Sequence, residues 1–342
     1  MIDYKKKYLK YKNKYIQKVN YLQKGGVSEN LEFSFKLMSY NVYLNRGYDY
    51  DKETNVSNYI NSLESENKPD IICTQEEPIN SFIGGDYQRL HTCPENINTT
   101  ENVAVYYKKN DSNRPKFIEC IKQNDRHAII FEYNNTTVAN LHLDGGRYVD
   151  TKLKTNYNTL IENKLALLNA VISKKPDIIL GDFNSVYSSD VNQLNNFYQN
   201  QYDYFDKFHD YKNIEEINRW NSEPYQVLTE NNYNYAVPYN QSNSFTNFRG
   251  ETIVDAIWYK HIDSTNTQIL DSLNSRTGGV PSDHNPVITT IIPLASQSKP
   301  SIKKPITTQE EPAKIQTHEI PIETITIIGT VISVLIFISL AN

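Results

Sequence analysis

Short apolar segments separated by polar loops run from about Leu31 to Pro293, and they constrain the fold more than any other feature of the sequence. Several of these segments are rich in Val, Ile and Tyr, the residue types that strands prefer. They predict strands at Phe35–Val42, Ile71–Thr74, Val103–Tyr107, Ala128–Tyr133, Thr137–Leu143, Ile178–Leu180, Ala256–Tyr259 and Val287–Ile292.

Two helices are predicted between the strands, at residues 55–66 and 152–174, and the second has a broad apolar face. The phrase Lys-Pro-Asp-Ile-Ile occurs twice, at residues 68–72 and 175–179. Each copy leads from a predicted helix into a buried strand. This mixture of helices and strands favours an α/β body with two sheets.

The composition is that of a folded protein whose surface does not attract polyanions. Hydrophobic residues make up 38% and aromatic residues 12%, which excludes a disordered chain. The net charge of −5 is uneven: residues 1–30 carry +6, residues 296–342 carry zero and residues 31–295 carry −11. A phosphate-bearing substrate therefore has to be attracted locally, by a metal ion or a small basic cluster.

The cysteines carry none of the predicted chemistry. There are three, Cys73, Cys93 and Cys120, and their spacing shows no pairs. This small, odd number predicts neither a disulfide framework nor a zinc site, and it fits a reducing compartment. Cys73 lies in an apolar run and is expected to be a buried small hydrophobe.

Residues 1–30 predict a basic amphipathic helical arm. Apolar and aromatic residues recur every three or four positions with Lys between them, and Gly25-Gly26 ends the pattern. The segment has no apolar core and is not a secretory signal. A solvated arm is the favoured interpretation, and contact with an anionic membrane or nucleic acid is the alternative.

The C-terminal part of the sequence predicts a membrane anchor. Residues 296–323 form a polar linker rich in Pro and Lys, and residues 324–341 are 18 consecutive uncharged, mostly apolar residues. That length reaches the lower limit for a helix that crosses a bilayer. Because lysines precede it, the positive-inside tendency predicts a single-pass, tail-anchored protein with its body in the cytosol. A buried C-terminal helix is the alternative.

Polar groups suited to metal ions or phosphate stand at the ends or starts of six predicted strands. These residues are Asn41, Glu76, His142, Asp182 with Asn184, Asp255, and Asp283 with His284. Any one of these segments alone is better explained as a turn that ends a strand, because Asp, Asn and Gly are common at such positions. Six such segments in one chain favour a site whose ligands gather at one sheet edge.

The ordered series resembles the endonuclease/exonuclease/phosphatase superfamily, whose fold is that of deoxyribonuclease I. The resemblance covers about residues 33–293 and is most specific at Gly181-Asp182-Phe183-Asn184 and at Ser282-Asp283-His284. It implies a four-layer α/β/β/α sandwich, with two packed mixed sheets flanked by helices and the site at one edge. Residues 31–295 would form this catalytic domain.

The resemblance implies a metal half of the site. Glu76 matches the family's Gln-Glu pair and is the best ligand, and Asn41 and Asp283 would complete or flank the coordination sphere. Oxygen ligands of this kind suit Mg²⁺, with Mn²⁺ as the alternative. Hydrolysis of a phosphodiester needs such a hard cation to neutralise the phosphoryl oxygens and stabilise the leaving oxygen.

The resemblance also implies roles for the other residues. Asp182 would orient or deprotonate the attacking water, and Asn184 would fix the phosphate or that water. His284 would hydrogen-bond the phosphoryl group or act as the base, with Asp255 holding its imidazole in orientation. His142 matches a second histidine of several branches and would stabilise the developing charge.

Two arginines are candidates for substrate contact. Arg147 ends the segment Asp144-Gly145-Gly146-Arg147, where it could pair with a phosphate, and a solvated loop arginine is an equally good interpretation. Arg249 lies in the loop before Asp255 and is a weaker candidate. Three histidines that fit none of the segments are expected to be surface or loop residues: His127, His209 and His261.

The sequence thus predicts a membrane-anchored, Mg²⁺-dependent phosphoesterase with no obligate protein partner. Nucleic acid is slightly favoured as the substrate, because nuclease activity is the commonest outcome for these motifs. The anchor and the acidic body favour the alternative, a phosphoinositide or sphingomyelin headgroup, and fold alone does not decide between them. An inactive, membrane-tethered binding module is the alternative of another class.

Overall fold

The computed structural model describes residues 34–43, 50–77, 83–95, 102–145, 157–186, 214–240, 246, 253–272 and 282–293. The chain divides between Ser296 and Gln297 into two units, and every described residue lies in the first. The predicted N-terminal arm, linker and membrane anchor lie outside the described residues. Among the helices that are described, none is long and apolar enough to cross a membrane.

All eight predicted strands and both predicted helices are confirmed, with somewhat different ends. The described elements are β1 (Phe35–Asn41), α1 (Tyr50–Ser62), β2 (Ile71–Glu77), β3 (Tyr87–Cys93), β4 (Asn102–Lys108), β5 (Lys116–Gln123), β6 (Arg126–Tyr133), β7 (Thr136–His142), α2 (Tyr157–Ser173), β8 (Ile178–Asp182), α3 (Ile214–Glu230), β9 (Asn234–Tyr235), β10 (Asp255–Tyr259), β11 (Ile262–Ile269) and β12 (Val287–Pro293).

These strands form two mixed sheets of six strands each. The first sheet has the order β11-β12-β1-β2-β4-β3, and the second has the order β5-β6-β7-β8-β10-β9. In the first sheet β1 and β2 are parallel, and in the second β7 and β8 are parallel. Each of these pairs is joined by a helix, α1 or α2, because parallel neighbours need a crossover that returns the chain to the same end.

The two sheets pack face to face, and helices cover their outer faces. Leu37 of the first sheet and Leu180 of the second belong to the same core cluster between the sheets. Side chains alternate along a strand, so the next residue points outward. Met38 accordingly packs with residues of α1, and Ile179 packs with residues of α2 and α3. The described residues therefore have the predicted α/β/β/α order of layers.

The strand register brings the polar strand ends to one edge. At the ends of the parallel strands β1 and β2, Asn41 is paired with Gln75. At the ends of β7 and β8, His142 is paired with Asp182, and Asp255 at the start of β10 is paired with the same aspartate. The polar residues that follow apolar strands in the sequence therefore become neighbours in the fold.

A buried amide pair joins the two sheets behind this edge. Gln75 Nε2 of β2 donates to Asn140 Oδ1 of β7 at 2.7 Å, and Asn140 Nδ2 donates to the backbone oxygens of Thr74 and Ala104 at 3.0 and 2.9 Å. Both amide side chains are fully buried. Because an unmade hydrogen bond is costly in such surroundings, the pair favours a single alignment of the sheets.

The prediction that the cysteines form no disulfide is wrong. Cys93 of β3 and Cys120 of β5 are bonded to each other. These two strands are at the edges of different sheets, so the disulfide joins the sheets along one side. The sequence gives no sign of the pairing, because the cysteines lie 27 residues apart and meet only when the sheets pack. Cys73 is buried and free, as predicted.

The sequence prediction omits β3, β5, β9, β11 and α3. In β5 only Ile121 is buried, so the strand lacks a strong apolar signal. Helix α3 lies in a segment for which the sequence predicts no element, and it contains Pro224, a residue that normally breaks helices. His127 was expected at the surface, but it is buried in β6, whereas His261 is exposed as expected.

Gly181 lies where β8 approaches β7 most closely. It has a φ of 143°, and a Cβ added to it would lie 1.8 Å from the backbone oxygen of Leu141. A backbone atom in the middle of a sheet cannot move aside as a flexible side chain can. Only glycine therefore fits at the first position of the Gly-Asp-Phe-Asn segment.

We expect Gly181→Ala to lower the free energy of unfolding by at least about 3 kcal/mol, because both the clash and the backbone conformation oppose a side chain. Urea denaturation of the variant and the wild type measures this difference. Gly84→Ala is the matched control, because an added Cβ there meets nothing within 4 Å. Equal stability of the two variants would contradict this account of the strand contact.

Candidate active site

Asn41, the last residue of β1, bridges two carboxylates that belong to different sheets. Its Nδ2 donates to Glu76 Oε1 at 3.2 Å and to Asp182 Oδ2 at 2.9 Å. Its Oδ1 accepts from the backbone N–H of Tyr43 at 3.0 Å, which fixes the orientation of the amide. Because Asn41 and Asp182 are buried, with exposures of 0% and 1%, water competes little with this bridge.

Glu76 and Glu77 are neighbours in sequence but have different surroundings. The pairing of β2 with β4 is irregular between Thr74 and Glu77, and Glu76 has a positive φ of 53°. Such a backbone is costly for a residue with a side chain, and strained residues of this kind tend to cluster at functional sites. The Glu76 side chain remains 17% exposed, whereas Glu77 is buried.

Glu77 anchors this irregular end of β2. Its carboxylate accepts hydrogen bonds from the hydroxyl of Tyr106 at 2.6 Å, from the hydroxyl of Thr74 and from Arg89 Nη1 at 3.4 Å. Burial raises the pKa of Glu77 to about 7, although its hydrogen bonds and Arg89 act in the opposite direction. The sequence analysis did not identify this residue.

His142, the last residue of β7, lies between the carboxylates and a buried arginine. Its Nε2 is 3.8 Å from Glu76 Oε1 and 3.7 Å from Asp182 Oδ2. Arg126 Nη1 lies 3.1 Å from His142 Nδ1 and 3.4 Å from its Nε2, and Arg126 Nε donates to Asp144 Oδ1 at 2.7 Å. Arg126 is 5% exposed, and the sequence analysis missed it. A permanent positive charge therefore lies beside the acidic cluster.

Local hydrogen bonds hold Asp182 and Asn184 in place. Asp182 Oδ1 accepts from the backbone N–H of Asn184 at 2.7 Å, which is a turn that aspartate commonly makes. Asn184 has a positive φ of 46°, and its Nδ2 donates to the backbone oxygen of Leu143 at 2.9 Å. The same nitrogen lies 3.2 Å from His142 Nε2, so the amide of Asn184 lies at the same edge as His142.

His284 contacts Asp255, the residue that the resemblance assigns to it. His284 Nδ1 is 2.8 Å from Asp255 Oδ2, and both side chains are buried. The hydroxyl of Thr246 accepts from the backbone N–H of Asp255 at 3.1 Å, which fixes the start of β10. The imidazole is therefore oriented by a carboxylate that is itself held by the sheet.

The surrounding charges favour a protonated His284. Burial opposes that charge, but the charge and hydrogen bond of Asp255, together with Asp182 and Asp283, outweigh burial and raise the pKa of His284 to about 10. Burial also raises the pKa of Asp255 to about 6, against the lowering effect of His284. We assign the shared proton to His284, because the charge of Asp283 acts on it in addition to those of Asp255 and Asp182. At neutral pH the pair is an imidazolium and a carboxylate.

Asp283 belongs to a loop that is fastened to β1. The hydroxyl of Ser282 donates to the backbone oxygen of Asn41 at 2.7 Å and accepts from the backbone N–H of His284 at 3.1 Å. Asp283 Oδ1 lies 3.9 Å from His284 Nε2. This loop therefore brings a further carboxylate to the same edge.

Eight of the ten candidate residues lie at this edge: Asn41, Glu76, His142, Asp182, Asn184, Asp255, Asp283 and His284. The other two, Arg147 and Arg249, lie outside the described residues, so their contact with substrate stays a prediction.

The acidic residues fit a hard divalent cation. Potential ligand atoms of Glu76, His142 and Asp182 lie within 4.8 Å of one another, and so do those of Asp182, Asp255 and His284. Carboxylates at such distances repel one another, and a cation held by their oxygens would relieve the repulsion.

Asn41 fits the role of a metal ligand less well than the carboxylates do. Its oxygen, the atom that a cation would bind, accepts the N–H of Tyr43 instead. The side of its amide that faces the carboxylates is the nitrogen, which can only donate.

Comparison with known proteins agrees with the geometry of the site. The sequence profile of the Endonuclease/Exonuclease/phosphatase family matches residues 38–284, a range that includes all eight residues at the edge. The chain belongs to this family. Members of this family are phosphoesterases. No curated protein matches the chain significantly in sequence.

Several solved structures are similar to this chain. The 3′ phosphatase NExo from Neisseria, bound to a product DNA hairpin, has 17% identity and a TM-score of 0.48, covering 75% of this chain and 98% of that one. Truncated TDP2 from Caenorhabditis elegans has 14% identity and a TM-score of 0.47, covering 76% and 98%. The inositol polyphosphate 5-phosphatase domain of SPsynaptojanin has 15% identity and a TM-score of 0.42, covering 80% and 89%.

Proposed function

We propose that this protein is a divalent-metal-dependent phosphoesterase that hydrolyses nucleic acid. One observation carries the proposal: the bridged carboxylates Glu76 and Asp182 share a sheet edge with the Asp255–His284 pair. Together they offer oxygen ligands for a cation and an oriented, protonated imidazole for a phosphoryl oxygen. Mg²⁺ is the proposed ion and Mn²⁺ the alternative, because both prefer oxygen ligands.

The metal half of the proposed site consists of Glu76 and Asp283. Asn41 would orient Glu76 and Asp182, because its nitrogen donates to both, and its oxygen would complete or flank the coordination sphere. When bound, the ion would neutralise the phosphoryl oxygens and stabilise the leaving oxygen.

Asp182 and Asn184 are proposed to act on the attacking water. Asp182 Oδ2, which already accepts from Asn41, would orient the water and take its proton. The amide of Asn184 would donate to the phosphate or to that water. The positive φ of Asn184 and its hydrogen bond to the backbone oxygen of Leu143 hold the amide in place before substrate binds. Binding of substrate therefore costs little further conformational entropy at this residue.

The two histidines are proposed to act on the phosphoryl group. His284 donates its Nδ1–H to Asp255, so its Nε2–H would donate to a phosphoryl oxygen. His142 and the neighbouring Arg126 would stabilise the negative charge that develops during the reaction. Arg147 and Arg249 are proposed to contact the substrate outside this centre.

A lipid headgroup of the phosphoinositide or sphingomyelin type is the second candidate substrate. The apolar residues 324–341 and the charge of −11 on residues 31–295 favour it, because an acidic surface does not attract a long polyanion. Nucleic acid remains the favoured substrate in this proposal, because cleavage of nucleic acid is the commonest activity associated with motifs of this kind. Nucleic acid and sphingomyelin present a phosphodiester to the site, whereas the ring phosphates of a phosphoinositide are phosphomonoesters.

The proposal is tested with the full-length protein in detergent micelles and Mg²⁺, on plasmid DNA, single-stranded DNA, a phosphoinositide and sphingomyelin. We expect hydrolysis of at least one substrate. Glu76→Ala and Asp182→Asn should each lower kcat/KM at least about 100-fold, because each removes a carboxylate from the site.

Glu132→Gln is the matched control, because Glu132 is an exposed carboxylate of β6, and we expect wild-type activity from it. If no substrate is hydrolysed with any divalent metal, the enzyme proposal fails and the binding module becomes the better account. If both site variants keep full activity, the active site lies elsewhere.

We also propose that residues 324–341 anchor the protein in a membrane with residues 31–295 in the cytosol. A fluorescent protein fused to residues 296–342 is expected to label membranes in cells. The same fusion with Ile332→Lys and Leu335→Lys should become diffuse, because charges in the apolar segment oppose insertion. A diffuse signal from the unaltered fusion would refute the anchor.

A further inference from the structure

Lys164 is a buried lysine in the apolar face of α2. Leu160, Leu167, Leu168 and Val171 of the same helix are buried, and Lys164 is 1% exposed among them. Lysine is almost never fully buried unless its charge is matched by partners. A residue that only filled this position would be expected to be apolar.

The Lys164 ammonium has three partners, and none of the three is a carboxylate. Its Nζ donates to the backbone oxygen of Asn184 at 3.0 Å and to Ser185 Oγ at 2.7 Å, and it lies 3.5 Å from the centre of the Trp220 ring. These partners match the three N–H bonds of an ammonium group. The face of an indole ring is also the most favourable aromatic surface for a cation.

Burial of this amine is costly. It lowers the pKa of Lys164 well below its usual value, while the charges of Asp144 and Asp182 act in the opposite direction. A buried charge without a directly bonded partner of opposite charge costs several kcal/mol. The three-partner geometry nevertheless fits the charged form. Leu or Met would fit this core position at a lower cost in stability. The lysine is therefore expected to have a function that requires its ammonium group.

Two of the partners of Lys164, Asn184 and Ser185, lie in the loop after β8, and the third, Trp220, lies in α3. Trp220 Nε1 donates to the same oxygen of Asn184 at 2.7 Å, and Ser185 Oγ donates to the backbone oxygen of Trp220 at 3.0 Å. Val186 N donates to Asn221 Oδ1 at 3.1 Å. Lys164 from α2 and Trp220 and Asn221 from α3 therefore hold this loop from its outer side.

We propose that Lys164 is a positioning residue: it holds the backbone of Asn184 in its left-handed conformation, so that the side-chain amide faces His142. The inference rests on the proposed function. Two donors on the Asn184 oxygen fix the peptide plane that follows Asn184, and this constrains the direction of its side chain. A displacement of 1 Å in such a group can lower a rate by about 100-fold.

The first test measures steady-state kinetics of full-length Lys164→Met, which keeps the length of the side chain and removes the donor. We expect kcat to fall about 10- to 100-fold and KM to change by less than about threefold, because a group that acts on the reacting centre is displaced. Lys174→Met is the matched control: Lys174 follows α2, is exposed and pairs with Glu119. Equal kcat values for the two variants would overturn the proposal.

A double-mutant cycle with Asn184→Ala separates positioning from a general structural effect. In the Asn184→Ala background, Lys164→Met should lower kcat by less than about twofold, because no amide is left to position. The same factor in both backgrounds would overturn the proposal. If Lys164→Met does not fold, Trp220→Phe, which removes the second donor to the Asn184 oxygen, replaces it in the same cycle.

A second readout does not depend on activity. The NMR signals of the Asn184 side-chain amide should shift or broaden in Lys164→Met and stay unchanged in Lys174→Met. If the wild type hydrolyses none of the substrates, the proposed function fails, and this signal still decides whether Lys164 positions Asn184. An unchanged Asn184 signal in a folded Lys164→Met protein would overturn the inference.

Discussion

The hydrogen bonds from the Asn41 amide to Glu76 and Asp182 are the interaction on which the rest of the site depends. Asn41 and Glu76 belong to the first sheet and Asp182 to the second, so the three side chains meet only when the sheets are correctly aligned. The buried pair of Gln75 and Asn140 stabilises that alignment just behind the edge. The site is therefore complete only when the two sheets pack in the correct alignment.

The carboxylates of the site concentrate negative charge at this edge, and buried positively charged side chains beside them offset it. Arg126 of β6 and His284 before β12 are buried cations that come from two different elements. Each lies close to a residue of the site: His142 or Asp255. A body with a charge of −11 can thus still present a locally favourable centre to a phosphate, because the relevant charges are buried and poorly screened.

Those features of the fold and the site that depend on local sequence patterns can be predicted from the sequence. Short apolar segments identify eight of the described strands, and polar residues at strand ends identify the site, because parallel strands bring those ends together. Contacts that arise only from tertiary packing were missed, such as the Cys93–Cys120 disulfide and the approach of Arg126 to His142. Lys164 was missed although it left a signal, since a lysine in the apolar face of a predicted helix is unusual.

The central claim is that Glu76, together with Asp283, holds a divalent cation beside Asp182. Binding of Mn²⁺ to the full-length protein, followed through the electron paramagnetic resonance signal of the free ion, tests it without reference to any substrate. The account predicts that the wild type and Glu132→Gln bind Mn²⁺ equally and that Glu76→Gln binds it at least about tenfold more weakly. Equal binding by Glu76→Gln and the wild type would contradict it.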